Sequence, residues 1–130
     1  MNAESCPCQS GQPYATCCGP LHAGGIAPTA EVLMRSRYCA FVKRNLPYLV
    51  RTSHPAIRNK LRPKDVHAAF ALGWCGLEIV ATSGGGPDDQ EGVVHFRASK
   101  QGGIHDETSR FTRIAGEWVY RDEHGKIPAG

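Results

Sequence analysis

The stretch from Cys6 to Cys18 constrains this chain more than any other part of it. Four of the six cysteines fall within these thirteen residues, as a CxC pair followed by a CC pair. The loop between the pairs contains Gly11 and Pro13 and cannot bury a core of its own. Something other than a local core must therefore fold it, and a single metal ion is the simplest agent.

Zinc suits such a cluster, because it takes four tetrahedral ligands and binds cysteine thiolates well. Eight residues separate the two pairs, which is enough chain to turn back, and Ser10-Gly11 is suited to a tight turn. Two disulfides or a redox-active CxC pair are the competing interpretations. The sequence shows no basic and apolar leader at its start, so we expect a cytoplasmic location, where thiols stay reduced and metal binding is favoured.

Composition indicates a globular protein, with 41% hydrophobic and 21% charged residues among 130. No apolar run approaches the roughly 18 residues that span a membrane, so we expect no membrane insertion. The charge is unevenly distributed, since residues 32–64 contain nine Lys or Arg and no acidic residue. That basic stretch predicts either a solvated helical face or a surface that binds RNA or the ribosome.

Helices are predicted first along the chain, after a connector over residues 19–28. Thr29 is a candidate N-cap, and an apolar stripe follows it, with Arg35, Ser36 and Lys43 lying away from the stripe. The stripe consists of Met34, Tyr38, Phe41 and Val42. Further helices are expected over 48–52 and from Pro63 to about Leu72, with a basic loop at 58–63 between them.

Strands follow, because apolar and polar residues alternate over 74–81, 92–99, 105–114 and 118–120. Turns separate them, including a tight hairpin at residues 115–117. Helices before an antiparallel four-stranded meander define an α+β fold. We expect the sheet to curve around the helices as a cone with an interior pocket.

The cysteine stretch CPCQSGQPYATCC resembles the SEC-C motif, CxCxSGxxxxxC followed by His or Cys. That motif is best known from the tail of the bacterial preprotein translocase motor, where it binds zinc and docks a chaperone. The resemblance implies zinc ligands at Cys6, Cys8, Cys17 and Cys18, with His22 as an alternative to Cys18. The chain departs from the family at Gln9, where a glycine is common.

Over nearly its whole length, the chain also resembles the YchJ family of bacterial proteins. This resemblance is carried by APTAEVLMRSRYCAFV, HP, GWCGLEIV, EGVVHFRA, HDETSRFTR and GEWVY. The resemblance implies an N-terminal SEC-C zinc knuckle followed by a domain like nuclear transport factor 2, and it implies no established activity. We expect the knuckle at residues 1–25, the cone-like domain at 26–125 and a loose tail at 126–130.

Candidate pocket residues lie on the strands. His105 and Glu107 share one strand face and could act together as a base and its orienting group, with His95 on a neighbouring strand. Arg110 has the opposite parity. The alternative is a set of salt bridges on the strand face. Cys39 and Cys75 are expected to be small buried hydrophobic residues rather than nucleophiles.

Three functions compete on this sequence. The first is a non-catalytic adaptor whose zinc knuckle docks a protein partner, in secretion or translation. Zinc would hold the knuckle in one shape and so lower the ordering cost of binding. The second is a small-ligand-binding protein or enzyme that uses the cone pocket, and the third is an RNA- or ribosome-associated protein using residues 32–64. The chain contains no HExxH, Walker, GxSxG or dinucleotide fingerprint, which favours a protein that is not an enzyme.

Overall fold

The computed structural model describes residues 4–128 and packs helices against one antiparallel sheet. Its α-helices are α1 (Cys18–His22), α2 (Ala30–Val42), α3 (Leu46–Arg51) and α4 (Pro63–Phe70), and 3-10 helices span Tyr14–Thr16 and Pro55–Lys60. The strands are β1 (Gly76–Gly84), β2 (Glu91–Lys100), β3 (Gly103–Ile114) and β4 (Glu117–Asp122), adjacent in that order. No helix within 4–128 has both the length and the apolar character to cross a membrane.

Helix α2 is the central helix, and its start confirms the predicted cap. Thr29 Oγ1 accepts a hydrogen bond from the backbone N–H of Val32 at 3.1 Å, which satisfies a donor that has no partner within the helix. The backbone N–H of Ala30 donates to the carbonyl of Gly85 at 2.9 Å. The first turn of α2 is therefore tied to the turn between β1 and β2.

Helix α2 is enclosed on more sides than the predicted stripe required. It contacts α1, α3 and α4 as well as β1, β2 and β4. Ser36, which the sequence places away from the apolar stripe, is fully buried all the same, and its hydroxyl donates to the carbonyl of Leu33 at 2.7 Å. A helix surrounded on several sides buries polar positions too, provided that they form hydrogen bonds.

The sheet follows the predicted meander, and its register decides which side chains face the helices. Val94, Phe96 and Ala98 of β2 are buried, and they stand opposite residues 109, 107 and 105 of β3. Directly opposed residues in an antiparallel pair lie on the same face. The inner face of β3 therefore carries His105, Glu107 and Ser109.

Local geometry differs from the sequence predictions at three connections. The stretch at 19–28, which the sequence predicts as a plain connector, begins within helix α1. Leu21 of this helix is buried. The basic loop at 58–63 begins inside the second 3-10 helix, and α4 ends at Phe70 rather than at Leu72. The predicted hairpin is confirmed, with left-handed φ angles of 52° at Ala115 and 84° at Gly116.

The knuckle shares its core with the rest of the protein. Cys6, Cys8 and Cys18 belong to the same buried cluster as Leu33 and Tyr38 of α2. The division into residues 1–25 and 26–125 stays a prediction. Residues 129 and 130 of the expected loose tail lie outside the described residues. Gly125, just before the tail, donates its N–H to the carbonyl of Thr108 at 2.9 Å.

Candidate metal centre and cone pocket

The four cysteines of the N-terminal stretch converge on one point. Their Sγ atoms all lie within 4.8 Å of one another. The separation is 3.6 Å between Cys8 and Cys17 and 4.0 Å between Cys17 and Cys18. A tetrahedral zinc ion with Zn–S bonds of about 2.3 Å holds its sulfurs about 3.8 Å apart. The sulfur positions therefore fit a four-coordinate metal site.

The donor set also determines what such a metal would do. All four positions would be filled by protein sulfurs, three of them from the buried residues Cys6, Cys8 and Cys18. Catalytic zinc keeps one position open for water or substrate, whereas closed four-sulfur sites are structural. This centre is thus suited to holding the knuckle together rather than to catalysis.

The pKa values of the thiols indicate that the four cysteines do not all ionise by themselves. Burial raises the pKa of the Cys6 thiol to about 12, and hydrogen bonding from Cys18 lowers the pKa of Cys8 to about 4. The hydrogen bond with Cys39 is the main reason that the pKa of Cys18 is raised. Thiols this close together do not all ionise unless a positive ion compensates them, so four thiolate ligands imply a divalent cation.

The turn of the knuckle explains why a glycine is common at the position of Gln9. Gln9 has φ of +62°, in the left-handed region that glycine adopts without strain. Its side chain offers compensation, because Oε1 accepts a hydrogen bond from the backbone N–H of Leu77 at 3.3 Å. Arg35 adds a second tie by donating from Nη1 to the carbonyl of Cys8 at 2.9 Å. These bonds attach the knuckle to β1 and α2.

His22, the alternative ligand, lies outside the sulfur cluster. Burial lowers its pKa, so the ring is neutral at pH 7. Its Nε2 donates to the carbonyl of Ser36 at 2.8 Å, which leaves Nδ1 to accept from the hydroxyl of Tyr14 at 2.8 Å. Nε2 therefore ties α1 to α2, Nδ1 ties α1 to the first 3-10 helix, and both ring nitrogens are engaged within the protein.

Cys39 lies beside the four-cysteine cluster, which the sequence did not predict. Its Sγ lies 3.9 Å from Cys6 Sγ, and the side chain is fully buried. The expectation of burial is confirmed. Its position beside the cysteine cluster could not be predicted from the sequence, because 33 positions separate it from Cys6. Cys75, in contrast, is exposed, so the prediction of burial there is wrong. It lies just before β1, and it borders an open groove between the knuckle and the cone.

A cavity of about 360 Å³ lies between the helices and the inner face of the sheet. This size falls within the range of roughly 300–1,000 Å³ typical of small-ligand pockets. Most of the lining is apolar or aromatic and comes from α2, the segment around α4, and β2. The pocket expected from the cone fold is therefore open space rather than a space filled by aromatic side chains.

His105 and Glu107 both line this cavity, as their shared parity predicted. His105 Nε2 lies 2.9 Å from Glu107 Oε1. Glu107 Oε2 accepts from the hydroxyls of Ser109 at 2.5 Å and Tyr120 at 2.9 Å. Burial and the neighbouring carboxylate raise the pKa of Tyr120, which keeps that phenol protonated as a donor. Glu107 is thus held by three donors within the protein.

His95 does not reach the pocket, so its assignment there is wrong. It alternates with the buried Val94 and Phe96 and therefore lies on the outer face of the sheet, where Nε2 is 2.8 Å from Asp106 Oδ1. Arg110 lies on the same outer face and pairs with Asp122, as its parity predicted. The salt-bridge alternative thus describes the outer face of the sheet, and His105 and Glu107 also form a close pair, on the side that lines the cavity.

The basic stretch at 32–64 is less continuous as a surface than as a sequence. Arg37 is buried at 6% exposure. Arg51 donates to the carbonyl of Leu21, and Arg58 donates to the carbonyl of Ser53. These side chains fix local structure, which removes them from any uniform basic face. Association with RNA or the ribosome stays a prediction without a specific supporting contact.

A helix-covered antiparallel sheet with a four-sulfur N-terminal knuckle defines a SEC-C protein with a domain like nuclear transport factor 2. The YchJ middle NTF2-like domain matches residues 29–123, and the SEC-C motif matches residues 3–20. The chain therefore belongs to the YchJ family, whose members are also named UPF0225 proteins.

Relatives and solved structures agree with this assignment. A UPF0225 protein of Streptomyces avermitilis is 50% identical over 91% of this chain and 82% of its own, and one of Streptomyces coelicolor is 47% identical over 94% and 96%. The solution structure of a SEC-C motif containing protein from Rhodopseudomonas palustris covers 98% of this chain and 100% of that one, with a TM-score of 0.81 and 30% identity. A crystal structure of a SEC-C motif containing protein from Psychrobacter arcticus covers 96% and 84%, with a TM-score of 0.77 and 32% identity.

Proposed function

We propose that this protein binds a small ligand in the cone pocket and that a structural zinc ion fixes its N-terminal knuckle. The cavity of about 360 Å³ carries the proposal, because it is bordered by apolar walls and a few convergent polar groups. That combination is the usual character of a small-molecule site. The knuckle contributes rigidity at one side of the same core.

Zinc is the metal that best suits the knuckle. Four thiolates at near-tetrahedral spacing favour zinc over hard cations such as magnesium or calcium, which prefer oxygen ligands. Reduced thiols are needed for this coordination, which is consistent with the expected cytoplasmic location. We expect one tightly bound zinc ion per chain in protein prepared under reducing conditions without chelator.

Glu107 serves to orient its neighbours in the pocket. Its oxygens accept hydrogen bonds from His105, Ser109 and Tyr120, which uses three of the roughly four acceptor sites of a carboxylate. The 2.9 Å contact between His105 and Glu107 matches the arrangement of a base and its orienting group, and it equally suits a polar group that positions a ligand. We propose binding because most of the cavity lining is apolar or aromatic.

The two tryptophans provide an internal test. Trp74 lines the cavity and donates from Nε1 to the carbonyl of Ala69, whereas Trp118 donates to the carbonyl of Pro28 outside the cavity lining. Titration with 3-phenylpropanamide, a neutral aromatic probe, should move the indole N–H resonance of Trp74 in a two-dimensional NMR spectrum and leave that of Trp118 in place. The methyl resonance of Met34, which lines the cavity but not the neighbouring groove, should move together with Trp74. No movement of Trp74 at millimolar probe, or equal movement of both, would contradict the proposal.

Docking of a protein partner is a second candidate, and one observation favours it. An open groove of about 430 Å³ runs between the knuckle and the cone. It is lined by Pro7, Gln9, Tyr38, Val42, Trp74 and Cys75, among others. A groove fixed on one side by metal would receive a segment of a partner with little ordering cost.

The adaptor role is tested by comparing captured partners across two variants. The Cys17→Ser/Cys18→Ser double variant removes two metal ligands, whereas Cys75→Ser changes an exposed groove residue and leaves the four sulfurs intact. Partners lost only with the double variant would assign docking to the metal-fixed knuckle. Partners retained by both variants would contradict that role.

A further inference from the structure

Arg37 places a positive charge in the lining of the cone pocket. Its side chain is buried at 6% exposure and is part of the cavity lining. All of its hydrogen bonds to the protein leave from one nitrogen, Nη1. They reach the carbonyl of Leu49 at 3.1 Å and the hydroxyls of Thr52 at 2.8 Å and Ser53 at 3.3 Å. This nitrogen anchors the guanidinium to the end of α3.

The other two nitrogens of Arg37, Nε and Nη2, have N–H groups that donate no hydrogen bond within the described residues. Nε and Nη2 carry three N–H groups in a fixed fork and have no acceptor among residues 4–128. Every side-chain N or O atom in this range that is sealed from solvent has a partner. Nε and Nη2 therefore keep accessible surface, and for a side chain this deeply buried the space that it lines is the cavity.

The protein does not neutralise this charge by direct contact. No carboxylate of the described chain lies within 4.0 Å of the Arg37 guanidinium. Glu107 is the acid that also lines the pocket, but its oxygens are held by other donors. Burial lowers the pKa of Arg37 to about 10, which leaves it charged at neutral pH. The ring of Tyr120 covers one face of the guanidinium, 4.6 Å from its centroid.

The other residues of the pocket indicate the chemical character of the rest of the ligand. Its walls include Met34, Phe41, Leu61, Trp74 and Phe96, which offer apolar and aromatic contact. Lys100 also lines the cavity and adds a second cation. An apolar space with an unsatisfied guanidinium fork is complementary to a molecule that has a carboxylate at one end and an apolar or aromatic body at the other.

We propose that the ligand of the cone pocket is an apolar or aromatic monocarboxylate whose carboxylate binds Nε and Nη2 of Arg37. This inference rests on the proposed binding function and adds the chemical class of the ligand. The alternative that it excludes is an Arg37 whose only task is to hold α3 against α2.

Three matched probes test the ligand class on the full zinc-loaded chain. They are 3-phenylpropanoate, 3-phenylpropanamide and 3-phenylpropylamine, which share one body and differ in the charge of the end group. Affinities are taken from the Trp74 indole N–H shift. We expect the carboxylate to bind at least about tenfold more tightly than the amide, because hydrogen bonds to charged groups are the stronger ones, and the amine to bind most weakly.

The outcomes separate the two proposals. Equal binding of carboxylate and amide would overturn the monocarboxylate assignment and leave the binding pocket standing. Movement of Trp74 by none of the probes would overturn both. This comparison uses the unaltered protein, so it holds even if a variant at the buried Arg37 fails to fold.

Two variants then identify which cation is responsible. Arg37→Lys retains a charge but loses the planar fork, and we expect it to lose most of the preference for the carboxylate. Lys100→Gln removes the other cation of the lining and should reduce that preference less than Arg37→Lys does. A preference that disappears in Lys100→Gln and persists in Arg37→Lys would contradict the assignment to Arg37.

Discussion

The N-terminal knuckle and the cone reach their shapes through different interactions. The knuckle has short 3-10 and α-helical turns, left-handed residues at Gln9 and Gly11, and four sulfurs at its centre. The cone has regular strands and a buried apolar face led by Phe111 and Trp118. If the proposed zinc ion is bound, one region depends on an ion for its geometry, whereas the other depends on side-chain packing.

The knuckle and the cone nevertheless share one core. Three cysteines of the knuckle are buried with residues of α2, and Cys39 of α2 lies beside Cys6. Loss of the metal therefore affects packing on the cone side as well as the knuckle. A region with its own sheet should nevertheless keep that sheet, because its buried face does not include the metal.

Zinc removal is expected to have the largest effect. A ligand present at a thousand times its dissociation constant stabilises a fold by about 4 kcal/mol. Each kcal/mol shifts the melting temperature of a domain this size by roughly 2–8 °C. Chelation should therefore lower the melting temperature by about 10 °C or more in calorimetry, while the far-ultraviolet dichroism of the sheet persists at 25 °C. Loss of the sheet signal at 25 °C would show that the cone cannot fold without the knuckle.

Gly92→Ala tests the cone by itself. A Cβ at Gly92 would lie 2.5 Å from the Cα of Gly85 and 3.1 Å from Cβ of Ala30. Because backbone must move, we expect a loss of about 1–3 kcal/mol in the free energy of unfolding by urea, with zinc content unchanged. Gly86→Ala is the matched control, since its Cβ would meet only the Asp89 side chain at 3.3 Å. Equal losses in both variants would contradict the close packing of the turn on α2.

Gln9 variants test the knuckle at a smaller scale. Gln9→Ala keeps the left-handed strain and loses the hydrogen bond to Leu77, so it should cost about 1 kcal/mol. Gln9→Gly loses the same bond but relieves the strain, and we expect it to stay within about 0.5 kcal/mol of the unaltered protein. Denaturation midpoints of the zinc-loaded variants measure the difference. A glycine variant as unstable as the alanine variant would contradict the strain at this turn.

Asp122 gives the smallest expected effect and one with a defined pH dependence. The hydrogen bond from Arg110 lowers the pKa of Asp122 to about 2, from 3.8. The pair therefore stabilises the fold above pH 3.8, and this stability is lost as the pH falls towards 2. Arg110 is half exposed, so the contribution is small. Asp122→Asn should lower the urea midpoint slightly at pH 7 and progressively less below pH 4, and a difference that grows in acid would be contrary to this sign.

The sequence patterns predicted the structure correctly where local chemistry determines it. The spacing of Cys6, Cys8, Cys17 and Cys18 matched a known motif, and these sulfurs do converge. Alternation over the strands predicted the meander and the shared face of His105 and Glu107. The misplacement of His95 had a readable signal, because its neighbours in β2 are the apolar residues that face the helices.

Features created by tertiary packing could not be predicted in this way. Arg37 belongs to a run of basic residues and looked like part of a charged surface. It is buried because α2 is enclosed by several elements and because the end of α3 supplies acceptors for its Nη1. The contact of Cys39 with Cys6 likewise depends on how the knuckle docks on α2. Such pairs become visible only once the elements are assembled.

Zinc K-edge X-ray absorption on the full chain, purified reduced and without chelator, tests the structural metal most directly. The proposed structural site predicts one zinc ion per chain with four sulfur neighbours at about 2.3 Å and no nitrogen or oxygen in the first coordination shell. A lighter neighbour would indicate an open position or coordination by His22, and either result would contradict a closed four-sulfur centre. Protein without zinc would contradict it as well.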